Sequence, residues 1–186
     1  MISQRIAVLL VLFLGCARSS ETPLTVTAAN ASESGFSVTS TLISGAREAI
    51  LVDAQFTLSD GARVADWIQQ SGKRLTTVFI THGHPDHYFG LAPVLEKFPD
   101  AEVIATPRVI EEMKAYAPQA VAQWKPLYGE NLTDQPRFPS PFTGDHLTLE
   151  GRRIELIALR PGESEHATAL WIPSIRTVVA GDAVFN

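Results

Sequence analysis

The chain has 186 residues, of which 45% are hydrophobic and 19% are charged. That length and composition suffice to bury the core of one domain and exclude a disordered chain. The formal net charge is −5 at pH 7, and the sequence contains no extended run of Lys and Arg. Without a basic face to attract phosphates, no nucleic-acid partner is expected, and we expect a small-molecule substrate instead.

The first twenty residues have the pattern of a bacterial export signal rather than of a folded element. Arg5 precedes the apolar run 6–14, which is too short to span a bilayer as a helix of the mature protein. Residues 13–16, Phe-Leu-Gly-Cys, are similar to a lipobox, in which the cysteine is lipidated and becomes the new N-terminus. The alternative is ordinary cleavage near residues 17–19.

Cys16 is the only cysteine of the chain, so no intramolecular disulfide can form. Its position at the end of the apolar run favours lipidation. The sequence therefore predicts a protein exported to the periplasm or anchored to the envelope membrane through Cys16. The folded domain is expected at residues 21–186, and its oligomeric state is left open.

Short strands and helices alternate in the first half of this domain. Apolar runs and alternating apolar and polar residues predict five strands, at residues 22–28, 36–43, 48–53, 75–80 and 101–106. Helical spacing of apolar residues predicts three helices, at residues 57–71, 88–98 and 107 to about 117. For the first helix, Ser59 is the expected N-cap and Gly72 the closing residue.

The second half of the domain has a different pattern. Residues 125–145 are rich in proline and lack periodicity, so they are predicted to form a long loop. Four strands are predicted beyond it, at residues 146–150, 153–159, 168–172 and 177–180. Gly151 joins the first two of these strands as a hairpin. Consecutive strands without helices between them predict two packed sheets, or a sheet that begins a second half.

The most informative stretch of the chain is Thr81-His-Gly-His-Pro-Asp-His-Tyr-Phe-Gly90. It holds three of the five histidines and one carboxylate: His82, His84, His87 and Asp86. Neutral imidazoles and a carboxylate are the ligands that suit zinc and similar divalent metals. Histidines crowded on a solvated loop would repel one another once protonated, and metal binding removes that conflict. The stretch also follows a predicted strand, where ligand sites of α/β proteins are common, so we interpret it as a metal site.

This stretch, with the strand before it, the helix after it and a later Gly-Asp pair, resembles the metallo-β-lactamase-fold hydrolases. The resemblance covers roughly residues 36–186. Val178-Val-Ala-Gly-Asp182 is similar to the family strand that delivers a bridging aspartate, and Asp53 is similar to an early structural acid near the site. The resemblance implies an α/β fold, a four-layer αβ/βα sandwich with metals at one edge, of which the second half is incomplete in this chain.

The resemblance also implies a site for two zinc ions. The implied ligands are His82 and His84 for the first metal, Asp86 and His87 for the second, and Asp182 as the bridge. Two cations polarise the group under attack and supply hydroxide at neutral pH. Asp86, near a helix start, would stay ionised and orient the attacking water. An aspartate at position 182 resembles the glyoxalase II, lactonase and related branches, and differs from lactamase branches that place a cysteine there.

The third ligand of the first metal departs from the family pattern, in which a histidine directly follows Gly or Pro-Gly. The corresponding segment is Arg160-Pro-Gly-Glu-Ser-Glu-His-Ala-Thr168. Without a gap Glu163 takes the ligand position, and with a shifted loop His166 does. We favour His166, because nitrogen ligands dominate such zinc sites. His146, at the start of a hairpin strand, is interpreted as an exposed polar residue.

A second departure is that the sequence stops at Asn186, where the family continues with further elements and a last histidine on the second metal. If the protein ends there, one metal is expected instead of two.

Two functions follow. The first is an exported, metal-dependent hydrolase of a small ester, thioester, lactone or β-lactam. The second is a truncated, non-catalytic envelope protein with at most one metal. A family redox branch that uses a single iron is a third, weaker option.

Overall fold

The computed structural model describes residues 22–162 and 164–184, so the predicted export segment and Glu163 lie outside the described residues. The strands are β1 (Thr25–Asn30), β2 (Thr39–Ser44), β3 (Glu48–Val52), β4 (Arg74–Phe79), β5 (Glu102–Ala105), β6 (Ser140–Pro141), β7 (His146–Leu149), β8 (Arg152–Ala158), β9 (Thr168–Ile172) and β10 (Thr177–Val179). The α-helices are α1 (Leu58–Gln70), α2 (Leu91–Lys97) and α3 (Pro107–Tyr128). Short 3-10 helices lie at Glu33–Gly35, Pro85–His87, Gly129–Asn131, Pro173–Ile175 and Gly181–Ala183.

The strands form two sheets. The first has the order β1-β2-β3-β4-β5-β6, in which β1, β2 and β3 are antiparallel neighbours and β3 to β6 run parallel. The second has the order β10-β9-β8-β7 and is antiparallel throughout. Because β3 and β4 are parallel, the loops that follow them emerge at the same edge of the first sheet.

The residues of β3 show how the layers are arranged. Ala49 and Leu51 belong to a core shared with all three α-helices, whereas Ile50 and Val52 belong to a core shared with the second sheet. A strand covered on both faces is expected to be apolar, as residues 49–52 of β3 are. The predicted α/β sandwich of two sheets is therefore confirmed. Within residues 22–162 and 164–184, every α-helix lies over the first sheet.

The second predicted strand, residues 36–43, begins only at Thr39 in the structure. Phe36 and Ser37 have φ values of 61° and 56°, which lie in the left-handed region and cannot continue a strand. They close the loop that connects β1 to β2. The predicted first strand is displaced in the same direction, to Thr25–Asn30.

Helix α1 is capped by Thr57, and the prediction of Ser59 as its N-cap is wrong. Thr57 has extended backbone angles, and its Oγ1 accepts a hydrogen bond from the Asp60 backbone N–H at 3.1 Å. The Thr57 hydroxyl in turn donates to the Asp60 carboxylate at 2.8 Å. Asp60 is the third residue of the helix, so the pair forms a variant of the capping box.

The predicted helix 88–98 begins only at Leu91 in the structure, as α2, and the 3-10 helix Pro85–His87 precedes it. Gly90 separates them, and its N–H donates to the Gln55 carbonyl at 2.9 Å. A Cβ atom at position 90 would lie 2.3 Å from the carbonyl oxygen of Ala54. Only glycine permits this close contact, which fixes the loop after β3 against the segment that carries the histidines.

Helix α3 continues to Tyr128, so the prediction that it ends near residue 117 is wrong. The helix contains Pro118 and Pro126, and each removes only one backbone donor from it. Buried Ala120 extends the apolar face beyond Pro118, and the Tyr128 ring packs 5.1 Å from that of Phe56. This packing outweighs the proline penalty. Neither α3 nor any other helix in the described part of the chain combines the length and apolarity needed to cross a membrane.

Glu150 joins the two sheets at the edge where β3 begins. Its carboxylate accepts hydrogen bonds from the backbone N–H groups of Ala46, Arg47 and Glu48, at 2.8, 2.6 and 2.9 Å. Glu150 and Gly151 have φ values of 48° and 79° in the two-residue turn between β7 and β8, which points the side chain back at the first sheet. The N–H donors of Arg47 and Ala46 lower the pKa of the Glu150 carboxyl.

We expect Glu150→Gln to lower the melting temperature at pH 7, because a neutral amide accepts the three N–H groups less strongly. The lowered pKa means that the carboxylate stabilises the fold above pH 4.5, the ordinary glutamate pKa, and that this contribution is lost as the pH falls through the folded-state value. The difference between variant and wild type should therefore shrink in acid. Thermal melts across roughly pH 3 to 7 measure it, with Glu155→Gln as the control. An equal loss at every pH would contradict this account.

Candidate metal centre

Three chain segments place polar side chains at the edge of the sheets opposite Glu150. Asp53 directly follows β3, and the stretch that carries His82 follows β4, with Val52 and Phe79 paired at the strand ends. Asp182 lies in the 3-10 helix after β10 of the second sheet. Gly181 has a φ of 53°, and a Cβ there would lie 3.0 Å from Thr81 Oγ1. Glycine therefore permits the two sheets to approach at this point.

His82, His87 and Asp182 form the tightest group of metal-ligating side chains at this edge. One ligand atom from each lies within 4.8 Å of the other two. His87 Nε2 lies 3.2 Å from Asp182 Oδ2, and the rings of His82 and His87 have centroids 4.1 Å apart. Both histidines are buried and Asp182 is half-buried. Imidazole nitrogens together with a carboxylate form a donor set that fits zinc.

Asp53 orients both buried histidines. Its Oδ2 lies 2.8 Å from His87 Nδ1 and also accepts the Thr81 hydroxyl proton at 2.8 Å, while its Oδ1 accepts the Thr81 backbone N–H at 2.9 Å. Because the Thr81 hydroxyl donates to Asp53, it accepts from His82 Nδ1, 3.0 Å away. In both histidines Nδ1 is thereby engaged, so Nε2 would be the ligand atom for a metal.

The charges at this group depend on the two carboxylates. Burial, together with nearby His87, lowers the pKa of His82 to about 4, so His82 is neutral at physiological pH. Burial also acts to lower the pKa of His87, but Asp53 and Asp182 outweigh it and raise that pKa well above 6.5. Burial opposes ionisation of Asp182, yet the hydrogen bond with His87 lowers its pKa. A divalent cation would take the place of the proton on His87 Nε2.

His84 and Asp86, the other predicted ligands of this stretch, adjoin the group without belonging to it. The His84 ring lies 4.8 Å from the His82 ring and 6.3 Å from that of Tyr116 on α3. Asp86 Oδ2 lies 3.8 Å from His87 Nε2. Both side chains are partly exposed, and Asp86 faces a groove of about 1100 Å³ that runs between the sheets. A small molecule could therefore reach Asp86 and Asp182 from solvent.

The structure does not bring His166 into the group. Its side chain is 37% exposed, with Nε2 4.0 Å from Glu165 Oε1, and it lines a cavity of about 350 Å³ against α3. Glu163 lies outside the described residues, so the choice between His166 and Glu163 as third ligand stays a prediction. His146 is 38% exposed on β7 and contacts Asp145 at 2.6 Å, in agreement with a surface residue.

The sequence pattern did not identify three residues at or beside the site: Thr81, Glu112 and Ser164. Thr81 directly precedes His82, so the sequence shows that Thr81 lies near the site. The sequence does not show that its side chain joins Asp53 to His82. Glu112 is one of two successive glutamates on an amphipathic helix, and nothing in the sequence distinguishes it from Glu111. The contacts of Glu112 arise only when α3 packs beside the histidines.

Comparisons with curated proteins give relatives that are named hydroxyacylglutathione hydrolase. The one from Parasynechococcus marenigrum (strain WH8102) is 29% identical over 126 residues, which are 66% of this chain and 40% of the relative. That of Actinobacillus pleuropneumoniae serotype 5b (strain L20) is 27% identical over 139 residues, 75% of this chain and 46% of the relative. The chain thus spans less than half the length of these relatives.

Solved structures share the fold. The BLEG-1 B3 metallo-beta-lactamase superposes with a TM-score of 0.67 at 16% identity, covering 87% of this chain and 74% of that one. A metallo-beta-lactamase family protein from Thermus thermophilus superposes with a TM-score of 0.61 at 23% identity. The match covers 88% of this chain and 60% of that one. The family model described as "Metallo-beta-lactamase superfamily" matches residues 34–186, which include the whole histidine stretch and Asp182. The chain belongs to the metallo-beta-lactamase superfamily.

Proposed function

We propose that this chain is the metal-binding part of a zinc-dependent hydrolase that cleaves a small thioester. The observation that carries the proposal is the convergence of His82, His87 and Asp182, whose ligand atoms lie within 4.8 Å of one another at an open groove. Zinc held there would polarise the substrate carbonyl and lower the pKa of water. Membership of a hydrolase superfamily supports the same chemistry.

The side chains around the ligands support distinct roles. Asp53 holds His87 by a buried 2.8 Å hydrogen bond, so the ring keeps Nε2 directed at Asp182 when a proton or cation is exchanged there. Asp86 faces the groove and lies beside His87, where a carboxylate can accept the proton of an attacking water molecule. We therefore assign Asp86 as the general base and His82, His84, His87 and Asp182 as ligands, with His166 as the further candidate.

Two observations favour a thioester among the predicted substrates. The curated relatives are named as hydroxyacylglutathione hydrolases, and a hydroxyacyl group joined to the glutathione thiol is a thioester. Position 182 holds an aspartate, as the glyoxalase II branch does, instead of the cysteine of some lactamase branches. The likeness to lactamase structures is below 25% identity and supports the fold only.

The alternative proposal is a non-catalytic protein with at most one metal. It is supported by the single compact group within the described residues, from which His84 and His166 are absent. A single-iron redox protein is the remaining option, and metal analysis distinguishes it from both zinc proposals.

We further propose that the protein is exported and anchored to the envelope membrane by lipid on Cys16, on the evidence of the N-terminal sequence pattern. The intact mass of the protein purified from its host envelope tests this. We expect a mature N-terminus at Cys16 with an added lipid mass, and no such addition in Cys16→Ser. An unlipidated chain that begins near residues 17–19 would contradict lipid anchoring.

We expect His82→Ala to lower bound zinc strongly, because it removes a buried ligand whose geometry is fixed by Thr81. Zinc per chain is measured by elemental analysis after dialysis. His146→Ala is the matched control, since that histidine lies on β7 and contacts Asp145. Wild-type zinc content in His82→Ala would rule out this metal centre, and iron in the wild type would favour the redox option.

We expect the wild type to hydrolyse a hydroxyacyl thioester of glutathione faster than a cephalosporin. Asp86→Asn should reduce kcat for the thioester roughly 10²- to 10⁴-fold, as expected for loss of a general base. Asp145→Asn, on the surface beside His146, should leave kcat unchanged. A zinc-loaded wild type without turnover would favour the non-catalytic alternative, and an active Asp86→Asn would exclude Asp86 as the base.

A further inference from the structure

Glu112 on α3 packs directly against the histidine stretch. A Cβ atom at Gly83 would lie 2.7 Å from Glu112 Cγ and 2.9 Å from its Oε2, so the glutamate side chain occupies the space that glycine leaves open. Gly83 separates His82 from His84. Tyr116, one helical turn further along α3, approaches the His84 ring on the same helix face.

The same carboxylate also holds the segment 164–168. Ser164 is buried, and its Oγ lies 3.1 Å from each carboxylate oxygen of Glu112, to which the hydroxyl donates. At the other end of the segment, the Thr168 N–H donates to the Thr81 carbonyl at 2.9 Å. His166 therefore lies between two anchors, and both anchors contact the segment that carries His82 and His84.

We propose that Glu112 is a positioning residue that fixes the segment of the third metal ligand against the segment of the first two. This inference rests on the proposed zinc centre. Glu112 acts through Gly83 and Ser164. A carboxylate suits this position because both of its oxygens accept from the Ser164 hydroxyl while one of them also lies over Gly83.

The neighbouring Glu111 offers a matched control. It lies on the same helix turn and lines the same cavity as Glu112, but its side chain is 70% exposed and pairs with exposed Arg108 at 3.4 Å. Such a surface ion pair contributes little to stability. A substitution at Glu111 thus changes charge near the site to the same extent and leaves the contacts with Gly83 and Ser164 intact.

The test measures zinc affinity by competition with a chelator in the full chain. We expect Glu112→Ala and Ser164→Ala each to weaken zinc binding about 10- to 100-fold, the usual effect of losing a residue that orients metal ligands. The double variant should bind zinc no more weakly than the weaker-binding single variant, because both substitutions remove the same interaction between Glu112 and Ser164. Glu112→Gln, which still accepts from Ser164, should restore most of the affinity, and Glu111→Ala should bind zinc as wild type does.

Hydrogen exchange of the metal-free protein provides a second readout that does not depend on zinc. Glu112→Ala should accelerate exchange in residues 164–168, and Glu111→Ala should not. Wild-type affinity and exchange in Glu112→Ala would overturn the inference while leaving the zinc centre intact. Equal effects in Glu111→Ala would overturn the inference as well. The loss of one negative charge near the site would then explain the effects without the contacts of Glu112. A wild type that binds no zinc would defeat the proposed function, and exchange alone would then decide whether Glu112 holds the segment.

Discussion

The group of candidate metal ligands, His82, His87 and Asp182, depends on the buried carboxylate of Asp53. A charge removed from water must be matched by donors, and Asp53 obtains them from the Thr81 backbone, the Thr81 hydroxyl and the His87 ring. Those bonds set the ring orientation of His87 directly and that of His82 through Thr81. Asp53 itself has a φ of 61°, a conformation that costs a non-glycine residue free energy of order 1 kcal/mol or more. The site is thus built on a strained residue whose strain is offset by its hydrogen bonds.

The local part of this arrangement could be predicted from the sequence. Three histidines and Asp86 lie within six positions after an apolar strand, so spacing alone indicated ligands on one loop. The apolar residues 49–52 likewise predicted a strand, and the structure buries it on both faces. These features are short-range. They can be recognised from the pattern of apolar residues or from residues that lie close together along the chain.

The long-range part could not be predicted from residue patterns. Asp53 and His87 are 34 positions apart, and His87 and Asp182 are 95 apart, so only the sheet pairing and packing bring them together. The family resemblance, not the spacing, indicated Asp53 and Asp182. The end of α3 was missed for a related reason. Proline predicts a helix end locally, whereas the packing of Ala120 and Tyr128 against distant residues keeps the helix intact.

The hydrogen bonds between Glu150 and the turn before β3 join the two sheets at one edge. The candidate metal ligands lie at the opposite edge. At that opposite edge, the contact between His87 and Asp182 joins the two sheets through side chains that we propose as metal ligands, so a bound cation would alter it. The Glu150 carboxylate instead binds backbone N–H groups, whose availability does not vary with metal. The Glu150 junction therefore holds the two sheets together at its own edge whether or not a cation is bound at the other.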